Sequence, residues 1–147
     1  MADAPFNHFN STAYDLGRGV FDLAAHTIMA MLTNVAPDPN AHYYSDLRST
    51  ELAPGNGYVA GGLIVPSTGL VNSADVASFN VGAVIWTSAV GAMGPFRYVV
   101  YYDLTAPNKN LLGWFDNGAS LTLNGLNSDV FDFAIDGAVL FTLAISP

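Results

Sequence analysis

The chain is expected to fold as mainly β structure: a single-domain β-sandwich or open barrel of about seven or eight short antiparallel strands with a short N-terminal helix. Three observations point there. Gly94 to Gly118 reads as a hairpin, Val130 to Asp136 alternates apolar and polar residues, and turn formers punctuate the rest at short intervals.

In the hairpin, Phe96 to Asp103 is almost wholly β-branched and aromatic, a composition that fits a pleated, half-buried surface better than a helix. Alternation assigns Phe96, Tyr98, Val100 and Tyr102 to one apolar face and Arg97, Val99, Tyr101 and Asp103 to a mixed face. Thr105 to Asn110 is a polar turn, and a second apolar run, Leu111 to Phe115, closes on Asp116-Asn117-Gly118. A hairpin alone is marginal in water, so the remaining strands must cover it. In Val130 to Asp136, Phe131, Phe133 and Ile135 point one way and Asp132, Ala134 and Asp136 the other, a strand with one wet face.

The other segments follow in chain order. Asp3-Ala4-Pro5 suits a helix start, Phe6, Phe9, Ala13 and Leu16 recur at spacings of three and four, and Gly17 with Gly19 provides the stop. Residues 1–17 are therefore an N-terminal helix or arm. Val20 to Asn34 stays open: its Ala, Met and Leu content favours helix, while Thr27 to Thr33 reads equally as a buried strand. Residues 35–56 carry Pro37, Pro39, Pro54 and Gly55 and form a long irregular loop, a common place for contacts. Tyr58 to Leu70 is glycine-spaced and apolar with Pro66 marking an edge or a break; Val76 to Trp86 makes one or two strands, and Leu121-Thr122-Leu123 and Ala138 to Ile145 complete the set.

Composition bounds the function. The 147 residues form one domain, 1–147, with no linker-like shift. They are 51% hydrophobic and only 11% charged, with a mean hydropathy of +0.33, against roughly 25% charged in an ordinary soluble domain. No window reaches the ~18 apolar residues of a membrane span, and no basic leader precedes an apolar run, so neither a membrane partner nor classical secretion is expected. The surplus apolar surface is expected to meet other proteins, since obligate interfaces bury ~2,000–5,000 Å². Four Lys and Arg against twelve Asp and Glu give a net charge of −8, which opposes nucleic-acid binding. The absence of cysteine removes disulfides, thiolate metal sites and a cysteine nucleophile.

The order of these pieces resembles a widespread family of small virion proteins of tailed phages. The likeness rests on Phe6 to Leu16, Phe21 to Thr33, Tyr44 to Gly62, Trp86-Thr87 and Tyr102 to Gly118, most specifically on Glu51-Leu52-Ala53-Pro54-Gly55-Asn56-Gly57-Tyr58-Val59-Ala60-Gly61-Gly62 and Leu111-Leu112-Gly113-Trp114-Phe115-Asp116-Asn117-Gly118. It implies a head- or tail-associated structural protein with a β-rich fold, no catalytic motif, and a strand at Thr27 to Thr33. One departure is Val81-Gly82-Ala83-Val84-Ile85, where the family often carries paired acids before the Trp-Thr; this puts an ion or salt-bridge role there in doubt.

Candidate chemistry is thin. Gly55 to Gly62 superficially matches a dinucleotide glycine loop, but Leu52-Ala53-Pro54 before it and Leu63-Ile64-Val65-Pro66 after it are not the required strand and helix. Close backbone passage or positive φ is the simpler reading. Asp129, Asp132 and Asp136, with Asp116, offer oxygens for a calcium ion, yet no Asp-x-Asp-x-Asp-Gly loop is present and solvated aspartates are the simpler account. His8, His26 and His42 lack zinc-ligand spacing, and no Gly-x-Ser-x-Gly elbow supports a serine nucleophile. No catalytic, cofactor-binding or metal residue is therefore assigned.

The expectation is a non-enzymatic virion component, assembled in the host cytoplasm. Its leading form is a capsid decoration or cement protein, a homo-oligomer and by expectation a trimer, that clamps the major capsid protein or other virion proteins. Phe6, Phe9, Tyr43, Tyr44, Tyr58 and Trp114 are the aromatic anchors expected at that interface. A tail or fibre component, including a module whose exposed tyrosines touch host glycans, is the runner-up, and a small hydrolase comes last.

Overall fold

The computed structural model describes residues 5–144, apart from the side chain of Asp136. The expected helix start at Asp3 and Ala4 and strand end at Ile145 lie outside the described residues. The chain runs β1 (Asn7–His8), α1 (Thr12–Gly17), β2 (Ile28–Thr33), α2 (Tyr44–Leu47), β3 (Leu63–Ile64), β4 (Gly69–Ser73), β5 (Val76–Asn80), β6 (Val84–Thr87), β7 (Ala92–Asp103), β8 (Leu111–Asn124), β9 (Val130–Phe133) and β10 (Val139–Ala144). It is mainly β, in antiparallel sheets with few and short helices. The central sheet has the order β1-β8-β7-β2-β3, a second has β10-β5-β4, and β6 pairs with β9.

The hairpin β7–β8 is the backbone of the central sheet, with Tyr98 opposite Asp116, Val99 opposite Phe115 and Val100 opposite Trp114. Strand β8 is longer than expected and absorbs Leu121-Thr122-Leu123. Pairing slips between Met93 and Phe96 and again between Phe96 and Tyr98, beside Pro95, which has no N–H to give the ladder. These slips correct the facial assignment. Phe96 joins Val99 and Tyr101 in the main core, while Val100 and Tyr102 face the other way.

Two apolar layers result. One face of the central sheet, with Ile28, Ala30 and Leu32, packs on Phe79, Trp86, Phe131 and Phe133 of the smaller sheets. The opposite face, with Met31, Val100 and Leu111, is covered by Phe9, Ala41 and Leu47. Burial on both faces explains why β2 is a continuous apolar run without alternation, and why periodicity could not distinguish it from a helix. In β9 one face stays wet: Phe131 and Phe133 are buried and Asp132 is exposed.

Two expectations are corrected. The N-terminal helix covers only Thr12–Gly17; Phe6 to Phe9 is extended, with Asn7 opposite Trp114 and His8 opposite Gly113. Phe6 and Phe9 therefore point to opposite layers, which a helix would not allow. Gly113 permits this, because a Cβ there would overlap the Asn7 carbonyl and the Phe6 ring. Residues 35–56, expected as an irregular loop, contain α2 and a 3₁₀ turn at Arg48–Thr50. The Asp46 carboxylate closes the start of α2 by accepting the N–H groups of His42 and Tyr43 at 2.9 and 3.0 Å.

Candidate functional site

The glycine-tyrosine motif folds around a carboxylate. Glu51 accepts the Tyr58 hydroxyl at 2.7 Å, the Tyr44 hydroxyl at 2.5 Å and the Gly61 N–H at 2.6 Å. The Tyr102 hydroxyl donates to the Gly61 carbonyl at 2.7 Å, and the Tyr58 oxygen accepts the Leu32 N–H at 3.1 Å. Burial and then the Glu51 carboxylate push the Tyr44 phenol up to about 12, against which the Arg48 charge acts. The same two causes raise Tyr58 far more. The glycines serve close passage. Gly57 (φ +103) and Gly62 (φ +84) are left-handed, and a Cβ would overlap the Thr87 carbonyl oxygen in one case and the Ala30 carbonyl in the other. No helix N-terminus follows the motif, so it lacks the phosphate geometry of a dinucleotide loop.

Beside this cage lies a pocket of about 320 Å³ lined by Met29, Tyr44, Arg48, Gly61, Leu104 and Lys109, among others. Tyr44 stacks on Tyr102 with ring centroids 4.8 Å apart, and the Lys109 ammonium stands 5.5 Å from the Tyr44 centroid. Lys109 holds its cation there from a left-handed backbone position (φ 52) at the end of the hairpin loop.

Two of the three histidines are tied to buried aspartates. His26 Nδ1 lies 2.5 Å from Asp103 Oδ2, while Asp103 Oδ1 accepts the Thr105 and Ala106 N–H groups at 2.9 and 3.1 Å. His42 Nε2 lies 2.7 Å from Asp15 Oδ2, which also accepts the Asn110 amide at 2.9 Å. Both carboxylates are fully buried. No hydroxyl hydrogen-bonds either ring among the described residues. Their geometry pins loops to the central hairpin.

A groove of about 580 Å³ opens where β3, the edge of the central sheet, faces β6. Val59, Ile64 and Ile85 on its rim are 61%, 62% and 50% exposed, and Met29, Leu63 and Val84 help to line it. None of its lining residues carries a charge or a polar side-chain group.

The expected anchors fare unevenly. Phe9 and Tyr58 are buried in the chain's own layers, which corrects their assignment to a partner interface. Phe9 packs on Trp114 at 4.7 Å, and Tyr58 is held by Glu51. Phe6, Tyr43, Tyr44 and Trp114 are half-buried; Phe6 fills the main core and Tyr43 stacks on His42. Among the acids, Asp116 is paired with Arg97 at 2.8 Å, the Asp129 carboxylate accepts the Asn124 N–H, and Asp132 is exposed. The Asp136 side chain lies outside the described residues. No group of three His, Asp or Glu side chains able to hold a metal occurs among the described residues.

The groove, the cationic pocket and both aspartate partners escaped sequence reasoning, because each joins segments far apart in the chain. The one local sign was a lysine between two asparagines in the hairpin loop. Comparison with protein-family models, with curated proteins and with solved structures returns no match.

Proposed function

We propose that the chain is a non-enzymatic structural protein of a phage virion, acting as a capsid decoration or cement protein that stabilises the major capsid lattice. The observation that carries this reading is the uncharged groove rimmed by Val59, Ile64 and Ile85, at an open sheet edge of a chain with only 11% charged residues. Exposed aliphatic side chains gathered around a groove are what a protein partner covers. The chemistry-bearing side chains support the same reading, since the His–Asp pairs and Glu51 are spent on holding loops in place. Repetition of such a contact over a shell, and within a homo-oligomer such as a trimer, multiplies weak binding.

The test is addition of purified chain to undecorated heads. Wild-type chain should bind at hundreds of copies per particle, and Ile64→Asp with Ile85→Asp should abolish binding while the variant keeps its melting temperature. Binding that survives both changes removes the groove from the contact. Occupancy of six to a few dozen copies would place the protein in the tail.

A further inference from the structure

We infer that the pocket between Arg48 and Lys109 receives an aspartate or glutamate side chain from a protein partner. The inference does not depend on the virion reading. Four basic residues serve this chain against twelve acidic ones. Arg97 is committed to Asp116, and Arg18, which lies over the Tyr14 ring as Lys109 lies over Tyr44, does not line this pocket. The remaining two, from distant parts of the chain, line the same pocket, and neither makes an ion pair among the described residues. In a molecule of net charge −8 that repels acids at long range, two cations lining one pocket mark a spot that can accept one.

Glu51 stands next to the pocket and takes part of that field. Its oxygens already accept three donors, and two cations still exceed one carboxylate. A sugar is disfavoured: one face of the Tyr44 ring is taken by Tyr102, and the Lys109 ammonium, 5.5 Å from the ring centroid, competes for the ring with any stacked ligand. A bare inorganic anion is disfavoured by the apolar part of the lining, Met29 and the exposed Leu104, which suits the methylenes of an acidic side chain and its flanking residues. Lys109 occupies a left-handed position where asparagine or glycine would be more comfortable, so the charge is kept at a conformational cost.

The experiment titrates a terminally blocked Gly-Asp-Gly-Glu-Gly peptide into the ¹⁵N-labelled full chain at low ionic strength. Amide shifts should appear at Ala60, Gly61 and Lys109, and affinity should fall at least about tenfold in Arg48→Gln/Lys109→Asn, where asparagine suits the backbone. The Asn/Gln analogue of the peptide should leave the spectrum unchanged, a control that needs no variant. Equal binding of that analogue, equal binding by the double variant, or phosphate or acetate binding as tightly as the peptide would each overturn the inference. No particle is involved, so this result and the head-binding result fail separately.

Discussion

The Tyr58 hydroxyl donates to Glu51 Oε1 at 2.7 Å and accepts the Leu32 N–H at 3.1 Å, so one phenol joins the motif loop to the free edge of β2. Strand β3 pairs only with Met29 and Ala30, and beyond it the edge is finished by this phenol, by a bridge from Thr33 to Glu51 and by the Leu52 N–H on the Leu32 carbonyl. The most distinctive stretch of the sequence therefore completes a sheet.

Removing that oxygen should be costly. Tyr58→Phe leaves the buried Leu32 N–H without its acceptor, while Glu51 Oε1 keeps the Gly61 N–H, and is expected to cost about 1–3 kcal/mol. Urea unfolding should show a lower midpoint with an unchanged slope. Glu51→Ala should cost less in the Tyr58→Phe background than in the wild type, because the Tyr58 bond is already gone and only those from Tyr44 and Gly61 remain to be lost; full additivity would deny the coupling.

Three left-handed glycines separate two causes of strain. Gly118 (φ +86) has open space around it, so Gly118→Ala should lose only about 1 kcal/mol from backbone conformation. Gly62→Ala meets the Ala30 backbone as well, and Gly57→Ala meets Thr87, so both should cost well over that amount. Thermal unfolding of the three variants should rank Gly118→Ala highest in melting temperature; a melting temperature for Gly62→Ala equal to it would contradict the close approach.

The fold class was legible where one local rule acted alone. Strand β9 shows it, with Phe131 and Phe133 buried and Asp132 wet, as does the polar turn between β7 and β8. It failed where two rules overlapped. Phe6, Phe9, Ala13 and Leu16 have helical spacing, yet the first two flank the short strand β1 that Gly113 lets approach β8. Phe96 changed faces because slips beside Pro95 shift the period by a residue. Arg48 and Lys109 come to line one pocket only after the hairpin loop meets α2, where the Tyr44 N–H donates to the Lys109 carbonyl, a contact that no local pattern encodes.

Asp103 anchors three groups while its own carboxylate is fully buried. Asp103→Ala leaves the His26 ring, the buried Ala106 N–H and the Thr105 N–H without their acceptor and should cost about 1–3 kcal/mol. His26→Gln, at a partly exposed ring, keeps the loop N–H bonds to Asp103 and should cost less. Calorimetric melts of both variants test the order; a larger loss for the histidine variant would show that the carboxylate is not the anchor.

Acid should weaken the fold through two identifiable carboxylates. The His42 and Tyr43 N–H groups hold Asp46 below its ordinary value of 3.8, with the Tyr43 bond the larger cause. The Arg97 guanidinium and then the Gly118 N–H do the same for Asp116. Both groups bind a proton less readily folded than unfolded, so stability rises with pH wherever the unfolded chain holds more protons. Their contribution is complete above the unfolded carboxylate value and is lost as pH falls through and below 3.8 toward the depressed folded values. Both side chains are substantially exposed or solvent-screened, so the effect should be modest and should shrink with salt at Asp116. Urea midpoints measured from pH 6 down to pH 2 should decline on the acid side. Asp46→Asn, whose amide oxygen still accepts the two N–H groups, should flatten that decline at little cost near neutral pH; an acid limb identical to wild type would remove Asp46 from the explanation.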